Sequence, residues 1–449
     1  MTVEAPTATL STGTPAPSFA EAFRVWLKVG LISFGGPAGQ IATMHRILVD
    51  EKKWIDEPRF LHALNFCMLL PGPEAQQLAT YVGWLLHRTI GGLMAGLLFI
   101  LPGALVMLGL SLIYVLARGV PVIDGALFGI KAAVLVIVVE AIIRIGRRGL
   151  KSWLLVGLAA AAFVAIFFFG LPFPLIVIGA GLIGYLVAQS SPQQLGLKNE
   201  VDAAETPASW SWRTLAGTIA TWLAIWWAPV ALAALLLGPQ HTLVSLGVFF
   251  SKLAVVSFGG AYALLAYMAQ EVVDARGWLQ LSEMVDGLGL AETTPGPLIL
   301  VTQFVGFLAA HRASAPFDPL VAAVLGAMMT TWTIFAPSFL WIFAGAPFIE
   351  DLRRNRRLAG ALAAITAAVV GVILNLAVWF TLHVLFRRVT EMHAGPLRWF
   401  SIDLASLDIA AAVLTAIAAG LMFGAHLGLI TTVAIMAVLG IAVRLAFGG

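Results

Sequence analysis

Two Pro-Gly-Pro tripeptides interrupt apolar stretches of this chain. They consist of Pro71, Gly72 and Pro73, and of Pro295, Gly296 and Pro297. Two prolines remove two backbone donors and the glycine permits a sharp bend, so each tripeptide predicts a re-entrant or discontinuous helix. Such breaks can expose helix N-termini, whose N–H groups and partial positive charge suit an anion. The other interpretation is a plain proline kink whose polar neighbours are satisfied between helices.

Polar residues flank both breaks, and they would be costly against lipid. They are Glu74, Gln76 and Gln77 after the first break, and Glu292, Thr293 and Thr294 before the second. The amides and hydroxyls could donate hydrogen bonds to a bound anion. The carboxylates are candidates for carrying a proton, because a carboxylate near an anion must be protonated or distant.

A Ser-Phe-Gly-Gly tetrapeptide ends an apolar segment ahead of each break, at residues 33–36 and 257–260. We expect its glycines to form a second backbone-lined element that faces the same cavity: Gly35, Gly36, Gly259 and Gly260. Gln40 extends this element in the first copy, whereas Leu264 replaces it in the second. Taken alone, paired glycines could merely allow close packing of helices.

Charged residues within apolar segments supply candidate counter-charges for an anion, because a charge at membrane depth is costly unless it is paired or hydrated. Lys131 lies in the middle of a predicted span, and Glu140 follows as its structural partner or as another proton carrier. Lys28 and Lys252 precede the two glycine motifs by one to two turns and could instead reach the membrane interface. Arg46 lies in a charged amphipathic stretch near the first glycine motif.

These features recur in one register, because the chain repeats itself at an offset of 224 residues (33 to 257). The same offset relates the two breaks, Lys28 to Lys252, Asp50 to Asp274, and His87-Arg88 to His311-Arg312. Duplicated halves with broken apolar segments are typical of transporters whose substrate site lies between the repeats. Basic clusters beside matching helices favour inverted repeats.

Membrane-spanning helices are the elements that must position these residues. The chain has 449 residues, is 60% hydrophobic and only 11% charged, and has a mean hydropathy of +0.95. Its apolar stretches predict an all-α polytopic membrane protein with about 10 to 13 membrane segments. The predicted full spans are 90–116, 122–143, 151–170, 171–189, 212–237, 318–346, 358–385, 405–424 and 426–447.

The polar segments divide the chain into four parts. We predict a disordered tail at 1–18, an N-terminal transporter repeat at 19–189, a polar linker at 190–209 and a C-terminal transporter repeat at 210–449. The tail has neither the basic nor the apolar region of a signal peptide.

Other function classes find little support in the sequence. Cys67 is the only cysteine, which excludes an intramolecular disulfide and redox chemistry at a cysteine pair. No zinc-protease, nucleophile-elbow or nucleotide-binding motif is present, so we expect no metal, no cofactor and no enzymatic activity, and any pumping must use an ion gradient. A net charge of +3 without a basic tract argues against nucleic acid as a partner.

The ordered motifs of both repeats resemble those of the chromate ion transporter family in its long, two-domain bacterial form. The resemblance covers about residues 19 to 447 and is carried by Ser33–Pro37, Gln40, Trp54, Leu70–Glu74, Gln76, Gln77, Ser257–Gly260, Trp278 and Thr294–Pro297. It implies export of chromate across the cytoplasmic (inner) membrane, driven by the membrane potential or a proton gradient, and chromate resistance. Sulfate is the natural competitor, since both ions are tetrahedral dianions. The second copy lacks the Gln/Glu cluster after its break.

We therefore expect a secondary transporter of a tetrahedral oxyanion, with chromate export as the leading function and rocking of one repeat against the other as its mechanism. Its partners would be chromate or sulfate, protons and membrane lipid, and a homodimeric assembly is left open. The alternatives are a transporter of sulfate or another oxyanion, an importer, a passive channel, and an intramembrane enzyme or membrane scaffold.

Overall fold

The computed structural model describes residues 17–34, 36–196, 211–258, 261–346 and 355–447. Nearly all of this part of the chain is helical, which confirms the predicted polytopic helical class. Its α-helices are α1 (Phe19–Ile32), α2 (Gly36–His45), α3 (Glu57–Cys67), α4 (Glu74–Leu116), α5 (Pro121–Gly149), α6 (Trp153–Phe169), α7 (Phe173–Ser190), α8 (Trp212–Leu237), α9 (Thr242–Val256), α10 (Ala261–Gln270), α11 (Leu281–Thr293), α12 (Val301–Arg312), α13 (Pro319–Gly345), α14 (Arg356–Leu385), α15 (Ile409–Ala419) and α16 (Leu429–Phe447).

Several predictions fall on residues outside the described ranges. They are most of the disordered tail at 1–18, most of the linker at 190–209, and the glycines Gly35, Gly259 and Gly260. Ser18 is described, and its side chain accepts a hydrogen bond from the N–H of Glu21 as the N-cap of α1.

The length and apolarity of the helices establish a multi-pass membrane protein. Within the described ranges, seven helices are long and apolar enough to cross a bilayer, namely α4, α5, α7, α8, α13, α14 and α16. Four shorter apolar helical stretches are Trp153–Phe169, Thr242–Val256, Leu298–Arg312 and Ile409–Gly424. A helix needs about 20 residues to cross roughly 30 Å of hydrocarbon, so the shorter stretches reach only part of the way unless they continue into neighbouring turns.

A sharp break divides α4 at the His-Arg pair that ends an apolar run in the sequence. His87 has φ −137° and Arg88 has φ +56°, and neither value is helical. Residues 74–86 therefore form a half-length helix after the first Pro-Gly-Pro break. In the second repeat, the half-length helix α12 ends at the matching pair, His311-Arg312.

Unit 1, one of the two compact units of the chain, consists of residues 1–111, 200–261 and 294–355. Its helices contact one another through glycines. A Cβ at Gly306 would lie 2.6 Å from the carbonyl oxygen of Gly326, and the converse distance is 2.3 Å. No side chain fits at these distances, so the backbones of α12 and α13 touch, as is common between membrane helices.

Unit 2 consists of residues 112–199, 262–293 and 356–449. Here α5 packs on α16, because a Cβ at Gly129 would lie 1.8 Å from the carbonyl oxygen of Met436. Both units draw residues from both predicted repeats, so neither unit corresponds to a single repeat. The repeat boundaries and the inverted arrangement stay predictions.

A β-hairpin in unit 2 departs from the all-helical expectation. Strand β1 (Val389–Ala394) pairs antiparallel with β2 (Leu397–Ile402), with Ala394 opposite Leu397 next to the turn. Arg398 of β2 donates from Nη2 to the carbonyl oxygen of Ile166 at 2.8 Å and from Nε to that of Phe167 at 3.2 Å. These carbonyls belong to the last turn of α6, where the N–H of Gly170 also donates to Ile166, so the hairpin contributes to the C-terminal cap of that helix.

Candidate functional site

The first break lies in unit 1 between α3 and α4. Gly72 has φ +122°, a backbone conformation that only glycine adopts without strain. Its N–H donates to the carbonyl oxygen of Ser257 at 3.0 Å. The chain therefore does leave the helical conformation at this tripeptide, as predicted, and the bend is held by the glycine motif of the second repeat.

The second break, also in unit 1, makes the reciprocal contact. Gly296 has φ +83°, and its N–H donates to the carbonyl oxygen of Ser33 at 2.8 Å. Each Pro-Gly-Pro thus binds the serine of the other repeat's Ser-Phe-Gly-Gly. The same hydrogen bond is made twice, at positions related by the sequence repeat.

These two hydrogen bonds change the role expected for Gly72 and Gly296. The N–H groups that we predicted to bind an anion already donate to serine carbonyls, so these two amides position the breaks. The donors that remain at the first break belong to the start of α4. Because the N–H of Gln77 is the first to bond within this helix, to the carbonyl of Pro73 at 3.0 Å, the N–H groups of residues 74–76 precede the intrahelical ladder.

Polar side chains surround the first break. Gln77 donates from Nε2 to the carbonyl oxygen of Pro71 at 2.7 Å, and Gln76 donates to Thr80 Oγ1 at 3.0 Å. A Cβ at Gly72 would lie 2.7 Å from Gln77 Nε2 and 2.9 Å from Ser338 Oγ. The bend, the amide and the hydroxyl therefore lie together. Sequence reasoning missed Ser338, which follows Pro337 within α13.

Three of these side chains each have one buried polar atom without a hydrogen-bond partner among the described residues. These atoms are Oε1 of Gln76, Oε1 of Gln77 and Oγ of Ser338. A buried polar atom without a partner costs about 1 to 3 kcal/mol. Of these atoms only the Ser338 hydroxyl can donate to an anion, because the two amide oxygens are acceptors and call for water or another donor.

At the second break, a protein side chain satisfies the glycine carbonyl, although Ser33 Oγ beside it is buried without a hydrogen-bond partner among the described residues. Gln40 donates from Nε2 to the carbonyl oxygen of Gly296 at 2.5 Å. A Cβ at Gly103 would lie only 2.1 Å from the carbonyl oxygen of Pro295, so the backbone of α4 contacts this break directly. Thr294 is buried beside it. Gln40 was predicted at an anion site, and the structure places its amide on the break itself.

The predicted cations of unit 1 do not reach this buried polar group. The side chains of Lys28 and Lys252 are exposed, and so is Arg46, which lies 3.5 Å from Glu51. Exposed lysines on these helices fit the alternative in which they extend to the membrane interface. Gly36 has φ +70° and begins α2 in a buried position.

The remaining predicted residues belong to unit 2, apart from Glu74. Lys131 Nζ lies 3.0 Å from Asp286 Oδ1, whereas Glu140 pairs with Arg144. The possible Lys131–Glu140 pairing is therefore wrong. Thr293 Oγ1 donates to the carbonyl of Leu290 at 2.7 Å, which satisfies it within α11.

The three proton-carrying candidates have different surroundings. Glu74 is half-buried at the first residue of α4 in unit 1, Glu140 is half-buried on α5, and Glu292 is 5% exposed on α11. Two buried carboxylates on α11, Glu283 and Asp286, were missed by sequence reasoning. Their signal is present in the sequence, since two acids spaced three residues apart in an apolar helix lie on one face.

Comparison with known proteins agrees with this architecture. The sequence model of the chromate transporter family matches residues 20–185 and 244–441, once in each half of the chain. A chromate transport protein of Pseudomonas aeruginosa is 32% identical over 369 residues, which is 80% of this chain and 80% of that protein. An uncharacterized transporter of Methanocaldococcus jannaschii is 27% identical, over 82% of this chain and 85% of its own length.

A further chromate transport protein, from Cupriavidus metallidurans, is 27% identical over 78% of this chain and 79% of its own length. No solved structure matches the chain. The family match covers most of both halves, and these relatives are named as transporters rather than as enzymes. This chain belongs to the chromate transporter family.

Proposed function

We propose that this protein is a secondary active transporter that exports chromate across the cytoplasmic membrane and so confers chromate resistance. The observation that supports it best is the pair of reciprocally bonded helix breaks in unit 1, of which the first retains buried polar atoms. Broken helices that meet within a membrane protein commonly form the site of an anionic substrate.

The first break offers the donors that a tetrahedral dianion requires. The N–H groups of residues 74–76 point out of the N-terminus of α4, where the helix dipole contributes about half a positive charge. Ser338 can donate from its hydroxyl, and Gln76 and Gln77 each carry a second N–H on the amide nitrogen. These neutral donors, together with the dipole, would hold the anion without a buried cation.

Glu74 gives this site a means of coupling to protons. Its carboxylate lies on the first residue of α4, next to the proposed anion position. An ionised carboxylate there would repel a dianion, so anion binding requires a protonated Glu74. The proton and the anion would then bind in a linked manner, which is the requirement for a proton-driven transporter.

The membrane potential favours export of a dianion from a cell with a negative interior. Moving one elementary charge through 100 mV is worth about 2.3 kcal/mol, and a dianion carries two. The potential alone could therefore drive chromate outward, and a proton that leaves together with the anion would reduce the net charge moved. Rocking of one repeat against the other would alternate access to the site.

Sulfate transport is the second candidate, because sulfate matches chromate in shape and charge and the donors at the first break do not distinguish them. Import, a passive channel, or an intramembrane enzyme or scaffold are the remaining alternatives. The relatives are named as transporters, which favours transport over an intramembrane enzyme or a membrane scaffold.

The test is flux of labelled chromate in proteoliposomes that contain the purified protein, under an imposed pH gradient or membrane potential. We expect chromate to accumulate against its own gradient and sulfate in excess to compete. Chromate movement only down its gradient would indicate a channel. Sulfate accumulation with chromate excluded would overturn the substrate, and no movement of either ion by folded protein would overturn the transport function.

Two variants locate the site within the chain. Gln77→Leu is expected to raise the chromate concentration needed for half-maximal transport, because it removes an amide donor from the first break. Gln193→Leu changes an exposed glutamine of unit 2 in the same way and serves as the control. Equal effects of the two substitutions would move the site away from the first break.

A further inference from the structure

Two buried carboxylates on α11 in unit 2 have no role in the function proposed above. Glu283 is 0% exposed and Asp286 is 3% exposed. They lie three residues apart, so both face the same side of the helix. Ionisable groups at such depth in a membrane protein are costly and usually functional.

Asp286 is held by two different helices. Its Oδ1 lies 3.0 Å from Nζ of Lys131 on α5. Its Oδ2 accepts a hydrogen bond of 2.9 Å from the hydroxyl of Tyr114, in the last turn of α4. The carboxylate therefore has one cationic partner and one neutral donor, both from outside its own helix.

Glu283 connects this group to the surface of unit 2. Its Oε1 accepts from Arg118 Nη1 at 2.5 Å, and its Oε2 accepts from the backbone N–H of Gln280 at 2.8 Å. The Arg118 side chain is 48% exposed, and its guanidinium lies 5.3 Å from the ring centre of Tyr114. Arg118 is thus exposed at the surface of unit 2, and Glu283 lies buried between it and the region of Asp286.

The group is electrically balanced when all its members are ionised. Lys131 and Arg118 contribute two positive charges, and Asp286 and Glu283 contribute two negative charges. Helix α16 also contacts α11, but its basic residue, Arg444, lies beside Gly125. Addition of one proton to a carboxylate would leave the group with one net positive charge.

We propose that Asp286 is a proton-binding carboxylate of the transport cycle and that Lys131 is the cation whose charge it cancels or releases. This inference rests on the proposed function, since it names a second proton site for the same transport. When Asp286 is ionised, the group is neutral. When Asp286 takes up a proton, one O–H bond forms, Lys131 loses its counter-ion, and the net positive charge favours the state that holds a dianion.

A buried ion pair rarely stabilises a protein more than apolar residues of the same size would. Loss of one partner is strongly destabilising, because the other charge stays buried without compensation. The single variants Lys131→Met and Asp286→Leu should therefore be unstable whatever the function of the pair. The double variant Lys131→Met/Asp286→Leu removes both charges and should recover the thermal stability that each single variant loses.

The experiment measures the ratio of protons to chromate moved in proteoliposomes, with a pH dye and labelled chromate. This ratio does not depend on the transport rate. We expect the double variant to move fewer protons per chromate than the wild type, because only the proton assigned to Glu74 remains, and to lose the part of the pH dependence that Asp286 contributes. The double variant Glu271→Leu/Arg276→Met, which removes a pair 3.6 Å apart on the periphery of unit 2, should keep the wild-type ratio.

A wild-type proton ratio in the folded Lys131/Asp286 double variant would overturn the inference and leave the proposed function intact. Wild-type protein that moves no chromate would instead overturn the proposed function. If the double variant fails to fold, Tyr114→Phe decides. It removes one donor to the ionised carboxylate without changing any charge, so proton-coupled transport should reach half its maximum at a higher pH. An unchanged pH profile in Tyr114→Phe would refute the role of Asp286.

Discussion

The two helix breaks of unit 1 share a backbone hydrogen bond but differ in what surrounds them. Gly72 and Gly296 donate to the carbonyls of Ser257 and Ser33 in matching geometry. At the second break, Gln40 satisfies the glycine carbonyl and the backbone of Gly103 approaches closely. At the first break, a serine hydroxyl and two glutamine amides retain buried atoms without partners.

Divergence of the repeats explains this difference. Gln40 belongs to the first repeat but acts on the break of the second, because each break packs against the other repeat. The residue that matches Gln40 is Leu264, which cannot donate to the carbonyl of Gly72. The carbonyl of Gly296 thereby has a side-chain donor with no equivalent at the first break, while buried atoms without partners among the described residues lie near both breaks, including Ser33 Oγ at the second. Duplicated backbone geometry thus persists while the binding chemistry becomes asymmetric.

The largest effect on stability is expected at Gly103 of α4, which contacts the second break. Its comparison is Ser338 of α13, which contacts the first break. In Gly103→Ala, the new methyl would lie 2.1 Å from the carbonyl oxygen of Pro295 and 2.6 Å from Leu300 Cδ1. We expect a loss of about 3 kcal/mol of stability from this overpacking. Ser338→Ala should cost less than about 1 kcal/mol, because its hydroxyl has no partner in the described chain.

Thermal unfolding of both variants in detergent measures the difference. Ser338→Ala should also weaken chromate binding, since it removes a donor from the proposed site. Equal destabilisation by the two substitutions would contradict the view that the second break packs more tightly against its neighbouring helix than the first break does.

The next effect concerns the conformation of the two break glycines. Asparagine tolerates positive φ near the left-handed region, which φ +83° at Gly296 approaches and φ +122° at Gly72 does not. Gly72→Asn should therefore cost about 2 kcal/mol and Gly296→Asn about 1 kcal/mol. The melting temperatures of the purified variants provide the measurement, and a greater loss at Gly296 would show that contacts with Phe99 rather than backbone strain dominate.

A smaller effect is expected when the glutamines at the two breaks are replaced, with opposite orders for stability and for transport. Gln40→Leu leaves the buried carbonyl of Gly296 without its amide donor and should cost about 1.5 kcal/mol. Gln77→Leu also loses one hydrogen bond, but it removes an unpaired buried Oε1 at the same time, so its net cost should be lower. Transport should show the reverse order, with Gln77→Leu the more damaging. Chromate flux normalised to folded protein, measured beside melting curves, tests both orders.

Helix positions and the breaks were predictable from the sequence because they depend on local composition. Apolar length predicts the spans, and proline with glycine predicts where a helix must stop. The predicted span 212–237 agrees with α8 at both ends. Repetition at a fixed offset also predicted that the two breaks would behave alike, which the matching hydrogen bonds confirm.

The contacts between repeats were not predictable, because repetition shows which residues are equivalent but not which residues touch. For example, the carbonyl of Ser257 in the second repeat accepts a hydrogen bond from Gly72 of the first repeat, and not from the Pro-Gly-Pro of its own repeat. Hydropathy likewise does not tell which face of a helix is buried, so the sequence left open whether Lys28 and Lys252 face a cavity or extend to the membrane interface. The acids of α11 pair with Arg118 and Lys131, which lie more than 150 residues away in sequence, so their spacing alone does not mark them as part of a buried charged group.

The smallest effect is expected at a pair of matching aspartates away from the breaks. Asp50 of the first repeat lies 3.4 Å from His45. Its counterpart Asp274 lines a pocket of about 20 Å³ in unit 2 with Gln270, Asn375 and Arg398. Burial and repulsion from Glu391 raise the pKa of Asp274 above its ordinary value of 3.8, although Arg398 acts in the opposite direction.

The raised pKa predicts the direction in which the stability of the protein changes with pH. The folded protein holds the Asp274 proton more tightly than the unfolded chain, so ionisation of this group lowers stability as pH rises through the folded-state pKa. Asp274→Asn, which cannot ionise, should therefore raise the melting temperature at about pH 8 and lose that advantage by about pH 4. The gain should be small, because the side chain is partly exposed and solvent screens its charge. Melting curves of both proteins across this range test the sign, and a gain that grows on acidification would show that the Arg398 attraction outweighs burial.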